Sequence, residues 1–381
     1  MIHDILTMIP GPTPVHRRIL DRLAEPTVSH LYPDFLESYR ETLVNFRTIM
    51  RSENAQPFIL AGGGTLAMEM ALVNTIAENE RILIISHGYF GERFKQLAEA
   101  MGISCAMLEA DWGRMVSPES LENHLRENRY AAVTITHVDT STGTCSPAAE
   151  YCEILKDRDE LVVLDGVCAS AGVDERFDEW GIDVLLTAPQ KAFGAPPGLA
   201  MCLFSERAME KRKSMSRINA YYADVMRWLP IMENPGGYYS TPAVNEIIAL
   251  HEATEIILEE GLDERFHRHA AITKAMRAGM AELGMHPFTD EDCRADTLSL
   301  FTYPDDVEDG AFRSAMAAGG VVIAGCLGEL AGKGCRIGHM GNIGAEEVYK
   351  TLEAAEGAAG TCGIKTKPGC TVQAAAEYLK W

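Results

Sequence analysis

Positive charge is scarce in this sequence. Lys plus Arg number 34 against 55 Asp plus Glu, a formal net charge of −21. Such a surface repels phosphate backbones and anionic bilayers, so neither nucleic acid nor membrane is expected as a partner. An anionic ligand would need a local cationic pocket rather than general steering. Long apolar runs are also missing: none approaches the roughly 18 residues that cross a bilayer. The opening residues, Met1 to Pro14, lack a basic segment followed by a long apolar core, so no signal peptide is expected. The 10 cysteines form no Cys-x-x-Cys pair and keep no regular spacing, the pattern of reduced thiols in a cytoplasmic enzyme. His267 and His269 stand two apart on a helical stretch and point to different faces, so no metal site is expected. There is no G-x-G-x-x-G, and no Gly-Lys-Ser/Thr follows the one glycine cluster, which sets aside dinucleotide and P-loop sites.

What the chain does contain is organised around residues 162–197. Leu161–Leu164 is a buried-strand run with Asp165 at its end. Asp183–Thr187 is a second run, followed at once by Ala188-Pro189-Gln190-Lys191. In open α/β sheets, ligands sit outside the carboxyl ends of strands. A carboxylate and a lysine delivered there suit pyridoxal 5'-phosphate, whose pyridine nitrogen is kept protonated by an acid and whose aldehyde condenses with a lysine. The bland alternative is a capping aspartate beside a surface lysine. Upstream, the strand Pro57–Leu60 ends at Ala61-Gly62-Gly63-Gly64-Thr65 before the helix 66–77. Bare amides at a helix N-terminus form an anion site, although a tight packing turn would read the same way. Arg81–Ser86 is a strand leading to Phe90, an aromatic placed to lie on a pyridine ring. Ala131–Thr136 leads into His137-Val138-Asp139-Thr140-Ser141-Thr142-Gly143, a run rich in hydroxyls.

At 381 residues the chain is too long for one compact core, and two lobes are expected. The prolines at 10, 12 and 14 favour an extended arm over residues 1–20. Strands alternate with helices from about 55 to 205, the signature of an α/β parallel sheet. The basic stretch Arg207–Arg217 is expected to face solvent, and Tyr221–Pro242 to be irregular. A long helix over 243–259 carries a lobe boundary near residue 250. This gives a large lobe over 21–250 and a smaller α+β lobe over 251–381.

The ordered set Pro10-Gly11-Pro12-Thr13, Gly62-Gly63-Gly64-Thr65, Gly88-Tyr89-Phe90-Gly91-Glu92-Arg93, Thr140-Ser141-Thr142-Gly143, Asp165, Gln190-Lys191-Ala192, Ala195-Pro196-Pro197-Gly198 and Arg336-Ile337-Gly338 resembles the class V aminotransferases, specifically the alanine–glyoxylate and serine–pyruvate group. The resemblance implies a pyridoxal-phosphate enzyme of fold type I, like aspartate aminotransferase, with a mostly parallel sheet in the large domain. By it, Lys191 is the Schiff-base lysine and Asp165 the partner of the ring nitrogen. Gly63, Gly64 and Thr65 line the phosphate, Gln190 is a further cofactor contact, Phe90 and Val167 sandwich the ring, and Thr140 faces its phenolate oxygen. Gly11 and Arg336 meet the substrate carboxylate, a guanidinium fork matching it bidentately. The resemblance further implies a homodimer with shared sites, in which Tyr238 and Thr241 cross to the partner's phosphate. The function implied is ping-pong transfer of an amino group from a small donor such as alanine or serine to glyoxylate or pyruvate. No second arginine is evident for a side-chain carboxylate. Three other readings stay open: a cysteine desulfurase using Cys326, pyridoxamine–pyruvate transamination, and a binding module that keeps only the fold.

Overall fold

The computed structural model describes residues 5–380. A seven-stranded sheet forms one half, in the spatial order Gln56–Ala61, Leu199–Phe204, Val184–Thr187, Leu161–Asp165, Ala132–Thr136, Arg81–Ser86 and Ser104–Glu109. Leu199–Phe204 runs antiparallel to both of its neighbours, and every other pair after it is parallel. Its inner strands are apolar on both faces because helices cover both sides, which is why they read as continuous runs rather than alternating ones. All four residues of Val184–Thr187 and all five of Leu161–Asp165 are buried. Gly64–Thr75, apolar nearly all round, lies on this sheet and contributes Ala67, Met70, Ala71 and Leu72 to the core.

The second half is built on a four-stranded antiparallel sheet, ordered His286–Pro287, Leu298–Thr302, Gly334–Gly338 and Ala324–Gly325. The helices Leu262–Ala281, Asp309–Ala318 and Ala345–Thr361 close a separate core with Phe301, Ile337 and Leu352 at its centre. The helix Val244–Glu260 belongs to the first core as far as Ile257. Gly261, at φ 83°, turns the chain directly into Leu262–Ala281. Among the described residues no helix is long and apolar enough to cross a membrane, and all ten cysteines are free.

The N-terminal segment connects the two halves at one place. Leu6–Thr7 pairs in parallel with Val321–Val322, and Met8 is buried in the second core. Gly338 donates to the Met8 carbonyl at 2.9 Å, and a side chain there would lie 2.4 Å from the Ile9 carbonyl. That close approach is the physical reason for glycine in Arg336-Ile337-Gly338. Farther along, Thr13 donates through its amide to the Gln190 carbonyl at 3.1 Å and through its hydroxyl to the Lys191 carbonyl at 2.8 Å.

Three expectations are corrected. The extended arm ends before residue 20, because a helix runs over Arg17–Leu23, capped by the His16 side chain. Tyr221–Pro242 contains the helix Val225–Glu233: Asp224 caps it, and Val225, Trp228, Ile231 and Met232 make a buried stripe that offsets the donor lost at Pro230. The basic helix Glu206–Ser214 is not wholly solvated, since Arg212 is buried and forks onto Asp224 at 2.9 and 3.1 Å. The last twenty residues, which carry no pattern in sequence, include the short helix Cys370–Ala375, packed into the second core through Ala375.

Candidate active site

Asp165 ends one central strand, and Lys191 follows the end of its parallel neighbour, where the sheet aligns Asp165 with Leu186. Both side chains are buried, at 3% and 8% exposure. The Val167 amide donates to Asp165 Oδ1 at 2.9 Å. Burial pushes the Asp165 carboxyl up to about 7, with the Asp139 and Glu175 carboxylates adding to the rise; the Val167 amide and Lys191 oppose it. An acid so placed accepts a cationic partner readily, because a neighbouring positive charge would relieve the cost of ionising it.

Lys191 Nζ donates to the Pro10 carbonyl and, at 3.5 Å, to the Thr140 hydroxyl. Burial lowers the Lys191 pKa, and the Arg336 guanidinium lowers it further, against the opposing pull of Cys168, Asp165 and Asp139. A lysine held this way is nearer to the neutral amine that nucleophilic attack and proton transfer require. Gly11, at φ 121°, lies against the lysine stem; a Cβ there would come within 2.7 Å of Lys191 Cδ. Only glycine permits both that conformation and that approach.

Arg336 lies on Gly334–Gly338 and is 8% exposed. Its hydrogen bonds go to backbone carbonyls: Nε to Gly325 and Nη1 to Thr140, each at 2.9 Å. No carboxylate is among these partners, so the fork is oriented while its charge remains available to an anion. Thr140 therefore ties the lysine to the arginine, one through its hydroxyl and the other through its carbonyl.

Gly63 is the N-cap of Gly64–Thr75. A Cβ at Gly63 would meet nothing within 4 Å, whereas one at Gly64 would sit 3.3 Å from Val167 Cγ2. The glycine turn thus opens on one side and packs on Val167 on the other, and Thr65 is exposed at its rim. Gln190 Oε1 is buried without a hydrogen-bond partner. Phe90 is half-buried in the first turn of Tyr89–Met101. Tyr238 and Thr241 are both exposed, and their hydroxyls lie 3.5 Å from each other. Cys326 is 8% exposed, and burial pushes its thiol up to about 12.

The class V aminotransferase model matches residues 17–339. This chain belongs to that family. It is 34% identical to alanine–glyoxylate aminotransferase 1 of Saccharomyces cerevisiae over 88% of this chain and 91% of that protein. The structure of ureidoglycine–glyoxylate aminotransferase from Bacillus subtilis superposes with a TM-score of 0.95 at 29% identity, covering 98% and 97% of the two chains. Pyridoxamine–pyruvate aminotransferase from Mesorhizobium loti gives 0.92 at 28%, covering 98% and 96%. The protein is a pyridoxal-phosphate-dependent aminotransferase of fold type I, as the motif resemblance implied. The residues present fit that cofactor: an open glycine cap at a helix N-terminus, an unpartnered buried amide oxygen on Gln190, a buried acid and a buried lysine converge at one end of the sheet.

Several residues of this site are missed by the motif reading. Asp139 and Ser141 lie in the hydroxyl-rich run around Thr140, and instead of facing a ligand they bind the backbone beneath Phe90. The Pro10 carbonyl, a partner of the Lys191 amine, carries no side-chain signal at all. His137 and Glu175 form a buried pair at 2.6 Å next to the strand end that holds Asp165. Burial pulls the imidazolium down, and the Cys145 sulfur and the Glu175 carboxylate more than offset it, lifting His137 to about 10.

Proposed function

We propose that this aminotransferase moves the amino group of a small, uncharged amino acid, alanine or serine in kind, to a small 2-oxo acid such as glyoxylate or pyruvate. The observation that carries this is the pairing of Arg336 and Lys191 on opposite atoms of Thr140. A substrate carboxylate on the Arg336 fork would present its α-carbon side to the lysine amine. Lys191 would hold the cofactor and, as a free amine, would move the proton at the substrate's Cα. Bound pyridoxal phosphate supplies the aldehyde that captures the amine and the ring that draws electrons from Cα. In this reading Asp165 keeps the ring nitrogen protonated, and Gly63, Gly64, Thr65 and Gln190 receive the phosphate. Phe90 and Val167 cover the two ring faces, and Gly11 closes the carboxylate side. Release of the first oxo acid before the second binds makes the sequence ping-pong.

Assembly belongs to the same proposal. Tyr238 and Thr241 serve a partner subunit's phosphate, which suits their exposure. The division into an arm over 1–20, a large lobe over 21–250 and a small lobe over 251–381 is likewise proposed, with the arm joined to the small lobe through Leu6–Thr7.

The relatives named for alanine–glyoxylate and ureidoglycine–glyoxylate transfer support a glyoxylate acceptor, and the one named for pyridoxamine–pyruvate transfer supports a rival reading. The open Gly63 cap favours the phosphorylated cofactor over free pyridoxamine. A cysteine desulfurase is disfavoured, because a thiol pushed up to about 12 inside an apolar cluster with Leu300 and Leu330 is a poor nucleophile. The deciding experiment mixes the pyridoxal-phosphate enzyme with each amino acid singly and follows loss of the cofactor's visible band. Alanine, serine or glycine should bleach it fastest. Bleaching only by aspartate or glutamate would overturn the small-donor reading, and alanine made from pyridoxamine and pyruvate alone would establish the rival.

A further inference from the structure

Asp139 stands on the short strand Val138–Asp139, just beyond the central strand Ala132–Thr136, and is fully buried. Its carboxylate takes four donors, all neutral. Oδ2 accepts from the Phe90 amide at 2.9 Å and the Gly91 amide at 3.3 Å. Oδ1 accepts from the Ser141 amide at 2.8 Å and the Ser141 hydroxyl at 2.6 Å. Ser141 Oγ accepts in turn from the Tyr89 amide at 3.0 Å. The amides of residues 89–91 are orphan donors of the first turn of Tyr89–Met101, where a negative charge is also favoured by the helix dipole. A Cβ at Gly88 would fall 2.5 Å from Asp139 Cγ, so the chain entering the helix closes directly onto the carboxylate.

Between these two residues sits Thr140, which holds Lys191 Nζ and Arg336 Nη1. Residues 139–141 therefore grip three separate elements: the helix carrying Phe90, the loop carrying Lys191 and the strand carrying Arg336. We propose that Asp139 is a positioning residue for pyridoxal phosphate, setting the Phe90 ring and the Thr140–Lys191–Arg336 group in one frame.

The proposal rests on the cofactor site described above and deepens it. Asp139 has a second consequence through its charge. It favours the protonated states of Lys191, His87 and Arg336 and disfavours ionisation of Asp165. The nitrogen of Lys191 also faces Cys168, Asp165 and Arg336. Removing the Asp139 charge should therefore lower the pH at which that nitrogen loses its proton, a change that helix capping alone would not produce.

Asp139→Asn separates these roles, because an amide offers one acceptor oxygen where the carboxylate presents two to opposed donor pairs. The expected result is a folded protein that binds pyridoxal phosphate about tenfold more weakly, the loss of one to two hydrogen bonds to a charged group. Its visible band should titrate at lower pH and show weaker induced circular dichroism. Ser141→Ala keeps the charge and removes the tie to Tyr89; it should weaken cofactor binding by less and leave the titration midpoint in place. Parental cofactor affinity and midpoint in Asp139→Asn, with only a lower melting temperature, would reduce Asp139 to a helix cap and overturn the proposal. If Asp139→Asn does not fold, Ser141→Ala decides, and unchanged cofactor affinity and dichroism there overturn it. Failure of the parental protein to develop a visible band would instead refute the cofactor site itself.

Discussion

At the scale of single residues, the site is a set of ionisable groups taken out of water. The role proposed for Lys191 is covalent and proton-transferring rather than one of packing, so Lys191→Ala should fold normally and lose transamination. Retention of more than a small percentage of turnover would reject it as the cofactor lysine. Asp165 makes a prediction about pH. Its folded carboxyl titrates at about 7 rather than 3.8, so without cofactor the folded state holds a proton that the unfolded chain releases. The sign follows: this contribution is fully present below about pH 4 and is lost as pH rises through about 7. Cofactor-free Asp165→Asn, which keeps the Val167 contact and cannot ionise, should melt close to the parent near pH 4 and above it at pH 8. The gap at pH 8 is expected at about 1–3 kcal/mol, taking about 1.4 kcal/mol per unit and discounting for relaxation of the site. A constant gap across that range would show that Asp165 is not the group being forced to ionise. With cofactor, the order should reverse in activity, since a neutral amide cannot hold the ring nitrogen's proton. Arg336→Ala should leave the cofactor bound and raise KM for amino and oxo acids steeply, by analogy with the roughly 2–5 kcal/mol lost on truncating a buried charge pair. An unchanged KM would move the carboxylate site elsewhere.

At the scale of elements, strand ends and helix starts do the positioning. Parallel strands deliver Asp165 and Lys191 to the same edge, and the first turns of Gly64–Thr75 and Tyr89–Met101 present bare amides there. The two helix starts are satisfied differently. Tyr89–Met101 has Asp139 on its amides, whereas Gly63 caps Gly64–Thr75 with no side chain and with empty space where a Cβ would stand. Gly63 has φ −137°, which any residue adopts, so Gly63→Ala should fold at least as stably as the parent. Its added methyl should instead weaken pyridoxal phosphate binding severalfold and leave the weaker binding of pyridoxal, which has no phosphate, unchanged. Equal effects on both ligands, measured by titrating the visible band, would place the phosphate away from this turn.

For the whole molecule, the question is which chain completes the cup. Tyr238 is 68% exposed, its ring 5.6 Å from that of His30 in a tilted pair, an arrangement suited to a surface that another subunit covers. A Lys191→Ala chain and a Tyr238→Phe/Thr241→Ala chain, each impaired alone, should regain activity when mixed and reassembled. One site of the mixed dimer would carry both lesions and the other none, so recovery should approach half the parental activity per mixed dimer. Verified mixed dimers without recovery would assign Tyr238 and Thr241 to their own subunit. The N-terminal segment acts at the same scale. By pairing with Val321–Val322, accepting from Gly338 through Met8 and then hydrogen-bonding to Gln190 and Lys191, it ties the second half of the fold to the loop that carries Lys191.

Sequence alone determined the fold class and the family, and it singled out Asp165 and Lys191, which the fold buries at one end of the sheet. Those rest on local signals: apolar runs of strand length, a glycine cluster before a helix, and an acid and a lysine each at the end of such a run. Burial on both sheet faces writes itself into composition, so five of the seven strands of the large sheet were legible; the part-buried edge strand Ser104–Glu109 and the antiparallel Leu199–Phe204 were not read. The Val225–Glu233 helix was not, because Pro230 speaks against it and only packing of Trp228 and Ile231 outweighs that. Tertiary structure alone decided the wiring around the lysine. The Pro10 carbonyl, the two-sided use of Thr140 and the capture of Phe90 by Asp139 join residues 49 to 196 positions apart. Such contacts use backbone atoms or small polar side chains with many local uses, and only the folded geometry selects among them. The same holds for the charges: composition counts an aspartate at 165, but its proton near neutrality comes from burial beside Asp139 and Glu175, a property of the assembled interior.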